Sequence, residues 1–295
     1  MKAKTKGAIC ILASAAGFAV MAAAVRLCDD FGAPVSSFQK SFFRNAVALA
    51  LAAAAFAKSR EPRISAPEND GGGRPFARKA LWLLVARSVA GTAGIFGNFY
   101  ALSHIPVGEA MALNKTAPFF TVLFSWLFLR EKPGLRAVFC LVAAFAGVLL
   151  VVKPGFRIDG SFASFCGLAG GLGAGIAYTF VRDLGLIGVG SPAIVLFFSA
   201  FSCLASVPFM LAGGFDPMTP AQVATMLGAG AGAAVGQFGV TAAYRYAPSR
   251  DIAVFDYAGV VFTAILGYFM FGQIPDALSV AGFAAIFCAA AASRR

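Results

Sequence analysis

The chain has 295 residues, of which 59% are hydrophobic and 13% are charged. Soluble domains carry about 25% charged residues, so this composition excludes a soluble enzyme with a single membrane tail. The formal net charge is +11; in a membrane protein such a surplus of Lys and Arg marks cytoplasmic loops rather than a nucleic-acid-binding surface.

Ten apolar runs follow one another, each near the roughly 20 residues that a helix needs to cross a bilayer. They cover residues 7–27, 35–57, 80–102, 107–129, 135–152, 162–181, 191–212, 221–244, 251–272 and 277–293. Because the runs are continuously apolar, they predict helices and not the alternating strands of a barrel. The expected fold is an all-α polytopic membrane protein with ten transmembrane helices.

One long polar segment, residues 58–79, predicts a mobile cytoplasmic loop. Most of the 24 Lys and Arg residues lie at span ends on the N-terminal side. The positive-inside rule therefore places both termini in the cytoplasm of a bacterial-type plasma membrane. An even number of spans requires the same arrangement.

The six cysteines lie in or at the ends of apolar runs without Cys-x-x-Cys spacing, which is typical of small buried residues. His104 is the only histidine, which excludes a histidine-based metal site or triad. The sequence also lacks the paired carboxylates near a membrane face that a membrane enzyme would need. We therefore expect no enzyme activity, no cofactor and no metal.

The sequence predicts an internal repeat, with residues 1–154 repeated in residues 155–295. One constant shift along the sequence aligns Pro106 with Pro248, Glu109 with Asp251, Phe120 with Phe262, Thr121 with Thr263 and Pro133 with Pro275. A second, longer shift aligns Val25-Arg26 with Val181-Arg182. Each half has five spans, an odd number, so the second half must enter the membrane upside down. Inverted repeats are characteristic of secondary transporters, whose substrate site lies near the midplane.

Several motifs match a known family. They are Tyr100-Ala-Leu-Ser-His-Ile-Pro106-Val-Gly-Glu109-Ala, Thr116-Ala-Pro118-Phe-Phe-Thr121, Trp126-Leu-Phe-Leu-Arg-Glu131-Lys, and the second copy from Tyr246-Ala-Pro248 through Gly272-Gln273-Ile-Pro275. With the five-plus-five arrangement, they resemble the EamA-type members of the drug/metabolite transporter superfamily, in which Glu is common where Gln273 stands. The resemblance implies a metabolite carrier, usually an exporter or exchanger of amino acids and related small molecules.

Four charged residues lie well inside predicted spans, away from the charged residues near the span ends: Arg44, Arg87, Lys115 and Asp256. A charge at the bilayer centre costs at least ~2.5–3.5 kcal/mol and is functional by default. The repeat alignment places Lys115 and Asp256 at facing positions, so we predict an ion pair across a central cavity that a charged substrate could break. A permanent structural ion pair and snorkelling side chains are the alternatives.

Polar residues recur at helical spacing in three spans. The stripes are Arg87, Gly91, Gly94 and Asn98; Asn114, Thr121 and Ser125; and Gln237, Thr241 and Tyr244. Each stripe fits either a cavity lining or hydrogen bonding between helices. Tyr100, Tyr178 and Tyr257 are candidates for contact with a planar substrate. The small-residue series Gly167, Gly171, Gly175 and Gly228, Gly232, Gly236 predict close helix packing.

Three intramembrane cations against one carboxylate favour a substrate with a carboxylate or phosphate, such as an amino acid or organic acid. We predict a monomeric or weakly dimeric secondary transporter that works by alternating access, with a proton or counter-substrate as a possible coupling partner. The predicted substrate-binding residues are Lys115, Arg87, Asn98, Asn114, Asp256, Tyr257 and Arg44.

The alternative substrate is a larger planar or cationic compound such as a vitamin, nucleoside or drug, for which Asp256 and nearby aromatic residues would dominate binding. Because apolar turns interrupt the polar stripes, a channel is disfavoured.

Overall fold

The computed structural model describes residues 3–59, 73–105, 107–153 and 162–294 of the chain. The helices are α1 (Ala3–Asp30), α2 (Ser37–Lys58), α3 (Gly73–His104), α4 (Val107–Asn114), α5 (Ala117–Leu129), α6 (Leu135–Val152), α7 (Phe162–Leu186), α8 (Ser191–Gly213), α9 (Pro220–Tyr246), α10 (Ser249–Ile252), α11 (Ala258–Phe271) and α12 (Ala277–Arg294). Within these ranges nine segments are long and apolar enough to cross a membrane, and Ala277–Ser293 is a shorter apolar helix. The prediction of an all-α polytopic membrane protein is confirmed.

The polar loop differs from its prediction. Of residues 58–79, the stretch 60–72 lies outside the described residues, but α3 already begins at Gly73. The prediction that the loop extends to residue 79 is therefore wrong. Ala77, Arg78 and Lys79 are good helix formers, and the Lys79 ammonium lies 3.6 Å from the Asp183 carboxylate of α7, so this turn continues the span.

The two halves of the sequence interlock. The four most extensive helix packings are α1 with α9, α3 with α7, α6 with α12 and α2 with α8, and each joins a helix before residue 154 to one after residue 161. Glycines allow the closest of these approaches, since a Cβ at Gly17 would lie 2.7 Å from the backbone nitrogen of Gly236. In lipid, van der Waals packing of small residues replaces the hydrophobic drive between helices.

The fourth and ninth spans are both broken near their middle. The fourth changes from α4 to α5 at Lys115 and Thr116, and the 3₁₀ turn Ala253–Tyr257 separates α10 from α11 in the ninth. Each break removes regular i to i−4 bonding, which leaves backbone polar groups that must face protein or a cavity in a membrane. The two breaks lie at positions that the repeat alignment makes equivalent.

Both ends of the described chain lie on one side of the bundle. The Lys4 ammonium donates to the backbone oxygen of Ser293 at 3.1 Å and lies 3.8 Å from the Asp251 carboxylate. We call this side the termini face, and the side where α1 ends at Asp30 the opposite face. The central cavity lies between the two.

Candidate substrate site

A cavity of about 190 Å³ lies at the centre of the bundle. Six of the seven predicted binding residues line it: Arg44, Arg87, Asn98, Asn114, Lys115 and Asp256. They come from α2, α3 and the two broken spans, so residues far apart in sequence meet in one place. Whether they bind substrate stays a prediction.

The predicted pair of Lys115 and Asp256 is present. The Lys115 Nζ lies 3.6 Å from an Asp256 carboxylate oxygen, and the two side chains are 22% and 16% exposed. Lys115 directly follows α4, and Asp256 belongs to the 3₁₀ turn before α11. The ion pair thus bridges the two broken helices, where transporters of several folds bind their substrates.

Arg87 is the most deeply buried cation of the cavity, with only 1% of the residue exposed. One terminal nitrogen donates to Gln237 Oε1 at 3.0 Å, and the guanidinium lies 3.5 Å from the centroid of the Phe198 ring. Its Nε and other terminal nitrogen have no hydrogen-bond partner among the described residues. Gly91, one turn further along α3, keeps room beside this group, since a Cβ there would lie 3.1 Å from the Phe198 ring.

Arg44 enters the same cavity from α2 and is 7% exposed. Its Nε also has no hydrogen-bond partner in the part of the chain that the structure describes. Across the described residues, no carboxylate forms an ion pair with Arg44 or Arg87. An unpaired buried charge is costly, so both arginines are suited to an anion that enters the cavity.

Some residues of the polar stripes line the cavity, and others are buried in the helix packing. Gly91, Gly94 and Asn98 line the cavity with Arg87, and Gln237 joins them from the third stripe. Thr121 instead donates to the backbone oxygen of Ala117 at 2.8 Å and is fully buried. The second stripe therefore contributes only Asn114 to the cavity.

The three tyrosine candidates occupy different environments. Tyr178 lines the cavity. Tyr257 does not: it is fully buried, with its ring 6.2 Å from that of Phe145, because the 3₁₀ turn directs it into the packing against α6. Tyr100 is 40% exposed and stacks on His104 near the end of α3, outside the cavity.

The sequence does not predict the apolar and small residues that line the cavity. Phe198 supports Arg87, and Gly170, Ala174 and Ala177 of α7 form one wall. Phe198 is one of 31 phenylalanines, and nothing in its local sequence separates it from those that face lipid. Gln237 carries a signal, since an amide inside an apolar span is uncommon and faces protein or water.

A multi-pass helical bundle with a charged cavity between two broken helices has the architecture of a membrane transporter. The chain matches the EamA-like transporter family over residues 5–153. It is 31% identical to the "Pseudopaline exporter CntI" of Pseudomonas aeruginosa over 76% of this chain and 78% of that protein. The chain belongs to the EamA-like transporter family, and it is a transporter rather than an enzyme.

Another named transporter and a solved structure are also similar to the chain. The chain is 28% identical to a protein named "Riboflavin transporter" from Rhizobium johnstonii, over 70% of this chain and 68% of that one. A solved structure titled "Crystal structure of protein" superposes with a TM-score of 0.75 at 17% identity, over 95% of this chain and 96% of that chain. That likeness supports the fold alone.

Proposed function

We propose that the protein is a secondary active transporter of a small acidic metabolite, an amino acid or organic acid, acting as an exporter or exchanger. The observation that carries the proposal is the Arg87 guanidinium, which is buried beside the cavity with two unpartnered nitrogens. Such donors favour carboxylate or phosphate oxygens. The cavity volume of about 190 Å³ is below the ~300–1,000 Å³ of sites for drug-sized ligands, which supports a compact substrate.

Transport by alternating access requires parts of the protein to move around this site. The moving bodies proposed here are the α1–α9 and α3–α7 pairs, because the sequence halves interlock and cannot separate as independent bundles. The cap geometry supports the inverted repeat, since α5 and α11 both end in a left-handed residue, Arg130 and Gly272. A charged substrate that competes for Lys115 or Asp256 would break the link between the two broken spans and so couple binding to movement.

The termini face is proposed to be cytoplasmic and the membrane a bacterial inner membrane. Lys4, Lys79, Arg182 and Arg250 are among the basic residues whose contacts lie on this face. The surplus of basic residues there follows the positive-inside rule. A proton or a counter-substrate would supply the coupling, and the monomer or a weak dimer would be the working unit.

A second candidate is a larger planar or cationic substrate. The relatives named as riboflavin transporters favour it, as do the aromatic residues Phe18, Phe99, Tyr178 and Phe198 around the cavity. In that case Asp256 and the rings would dominate binding, and Asp256→Asn would impair transport far more than Lys115→Ala.

The test is ligand-induced thermal stabilisation of purified protein, followed by counterflow in proteoliposomes. Ligands that bind the folded state raise its apparent stability, so a panel of carboxylates, phosphates, cations and neutral metabolites can be compared in one assay. We expect acidic metabolites to stabilise the wild type and to lose this effect in Lys115→Ala and Arg87→Ala.

Lys132→Ala is the matched control, because it removes an exposed cation outside the cavity. Normal transport by folded Lys115→Ala, Arg87→Ala and Asp256→Asn would contradict the site. Stabilisation by planar or cationic compounds that survives in Lys115→Ala would favour the second candidate.

A further inference from the structure

The charges that line the cavity do not balance. Arg44, Arg87 and Lys115 contribute three positive charges, and Asp256 contributes the one carboxylate among the described lining residues. Lys115 and Asp256 lie 3.6 Å apart and neutralise each other. Two guanidinium charges remain, and an arginine side chain stays protonated in proteins.

We infer that the substrate carries two negative charges, which Arg44 and Arg87 bind together. This inference rests on the proposed function and narrows its substrate from acids in general to doubly charged ones. Two carboxylates or one phosphate group have the required chemistry. A substrate of single charge would leave one buried guanidinium without an anion.

The surroundings of Arg87 orient its free donors. The Phe198 ring covers the guanidinium at 3.5 Å from the ring centroid, and Gln237 Oε1 accepts from one terminal nitrogen at 3.0 Å. An aromatic ring on a guanidinium fixes its plane without neutralising it. The remaining nitrogens, Nε and the other terminal nitrogen, are therefore held in place for an acidic oxygen.

Arg44 supplies the second positive charge from a different helix. It is 7% exposed and lines the same cavity, and the two guanidiniums repel each other there. Their Nε atoms both lack a partner among the described residues. A doubly negative ligand would satisfy these donors and remove the repulsion in one binding event.

Binding of a matched ligand series to the purified full-length protein tests the inference. The ligands are succinate, its monoamide succinamate and methyl phosphate, each measured by calorimetry and by thermal stabilisation. We expect succinate to bind about tenfold or more tightly than succinamate, because the amide loses one charge-assisted hydrogen bond. Tighter binding of methyl phosphate than of succinate would assign both charges to one phosphate group, and weaker binding would assign them to two carboxylates; either result supports the inference.

The variants Arg44→Gln and Arg87→Gln should each bind succinate and succinamate about equally. Arg44→Lys should keep most of the preference for succinate. Lys132→Gln serves as the control outside the cavity. If Arg87→Gln does not fold, Arg44→Gln and Arg44→Lys still decide the outcome. Equal affinities of the wild type for succinate and succinamate, both lost in Arg44→Gln, would overturn the inference and leave the acidic-metabolite proposal standing. Failure of every acidic ligand in this assay and in the wider panel would overturn both.

Discussion

The two faces of the bundle have different chemistry at positions that the predicted repeat alignment makes equivalent. At the termini face, Glu131 after α5 accepts from Arg182 of α7 at 2.9 Å, and the two side chains are only 13% and 11% exposed. Arg182 also donates to the backbone oxygens of Tyr244 and Arg245 at the end of α9. One buried ion pair thus joins α5, α7 and α9.

At the opposite face the predicted repeat alignment puts Arg26 and Gln273 in place of this pair, and both are exposed. Arg26 lies over the Phe271 ring, 4.6 Å from its centroid. The backbone is nevertheless alike, since the amides of Glu131 and Gln273 donate to Ser125 and Gly267 respectively, both at 3.2 Å. The shape of this helix end is therefore independent of its charge: the termini face has an ion pair at this position, and the opposite face has an exposed arginine and an exposed amide.

The largest expected effect comes from Arg182→Ala. It leaves the Glu131 carboxylate buried without a partner, a change that typically costs about 3–5 kcal/mol. Arg26→Ala, at the equivalent position, removes only an exposed cation–π contact worth about 0.5–1 kcal/mol. Chemical unfolding of both purified variants measures the two losses of unfolding free energy. Equal losses in Arg182→Ala and Arg26→Ala would contradict the difference between the two faces.

A smaller loss is expected for the double variant Glu131→Gln, Arg182→Met. Removing both charges leaves no unpaired buried ion, and such replacements are often near neutral. The free energy of unfolding should therefore recover most of what Arg182→Ala alone loses. A double variant no more stable than Arg182→Ala would show that the bonds from Arg182 to α9, rather than the charge pair, stabilise this face.

Gln273→Glu should give the opposite face a carboxylate at the position equivalent to Glu131. A new exposed pair with Arg26 is worth up to about 1 kcal/mol. We expect slower amide hydrogen exchange in the last turn of α11, and 1 M salt should remove the effect because screening then acts over about 3 Å. Gln273→Met controls for side-chain volume, and slowing that persists in an Arg26→Ala background would exclude the ion pair.

The smallest effect concerns Lys153 and Asp276, an ion pair that joins α6 and α12 at the opposite face. The Lys153 ammonium bonds to the carboxylate, with help from the Ser279 backbone amide, and lowers the pKa of Asp276 to about 2. Because the folded-state pKa is depressed, this stabilisation is present above the ordinary pKa of about 3.8 and is lost as the pH falls towards 2. The melting temperatures of the wild type and Asp276→Asn should differ slightly at pH 6 and converge near pH 2. A difference that does not change with pH would assign the effect to the cap of α12 alone.

The sequence predicts the spans closely, because a bilayer imposes both length and apolarity on each one. It predicts the charged cavity residues for the same reason, since Arg44, Arg87, Lys115 and Asp256 are costly in lipid and had to meet inside the protein. The breaks in the fourth and ninth spans escape this reasoning. Pro118 in the first turn of α5 is a start signal, but the 3₁₀ turn Ala253–Tyr257 has no such residue.

The contacts between particular residues are harder to predict from the sequence than which residues lie inside the protein. Gly232 and Gly236 pack on α1 as their spacing predicts, yet no described atom lies within 4 Å of where a Cβ would be at Gly228. Arg182 is one of many basic residues at the termini face, and nothing in its spacing indicates Glu131 as its partner. Long-range packing decides such pairs, and a single sequence does not record it.

The packing of α1 against α9 also constrains how the chain is made. The face of α1 that carries Gly17 fits the backbone of Gly232 and Gly236, which belong to the eighth span and which the ribosome adds only after six further spans have been synthesised. Until then α1 is inserted in the membrane without its main partner, and the same is true of α2, α3 and α6. The first half alone therefore has the spans but lacks the most extensive helix packings of the finished protein, and the bundle can assemble only late in synthesis.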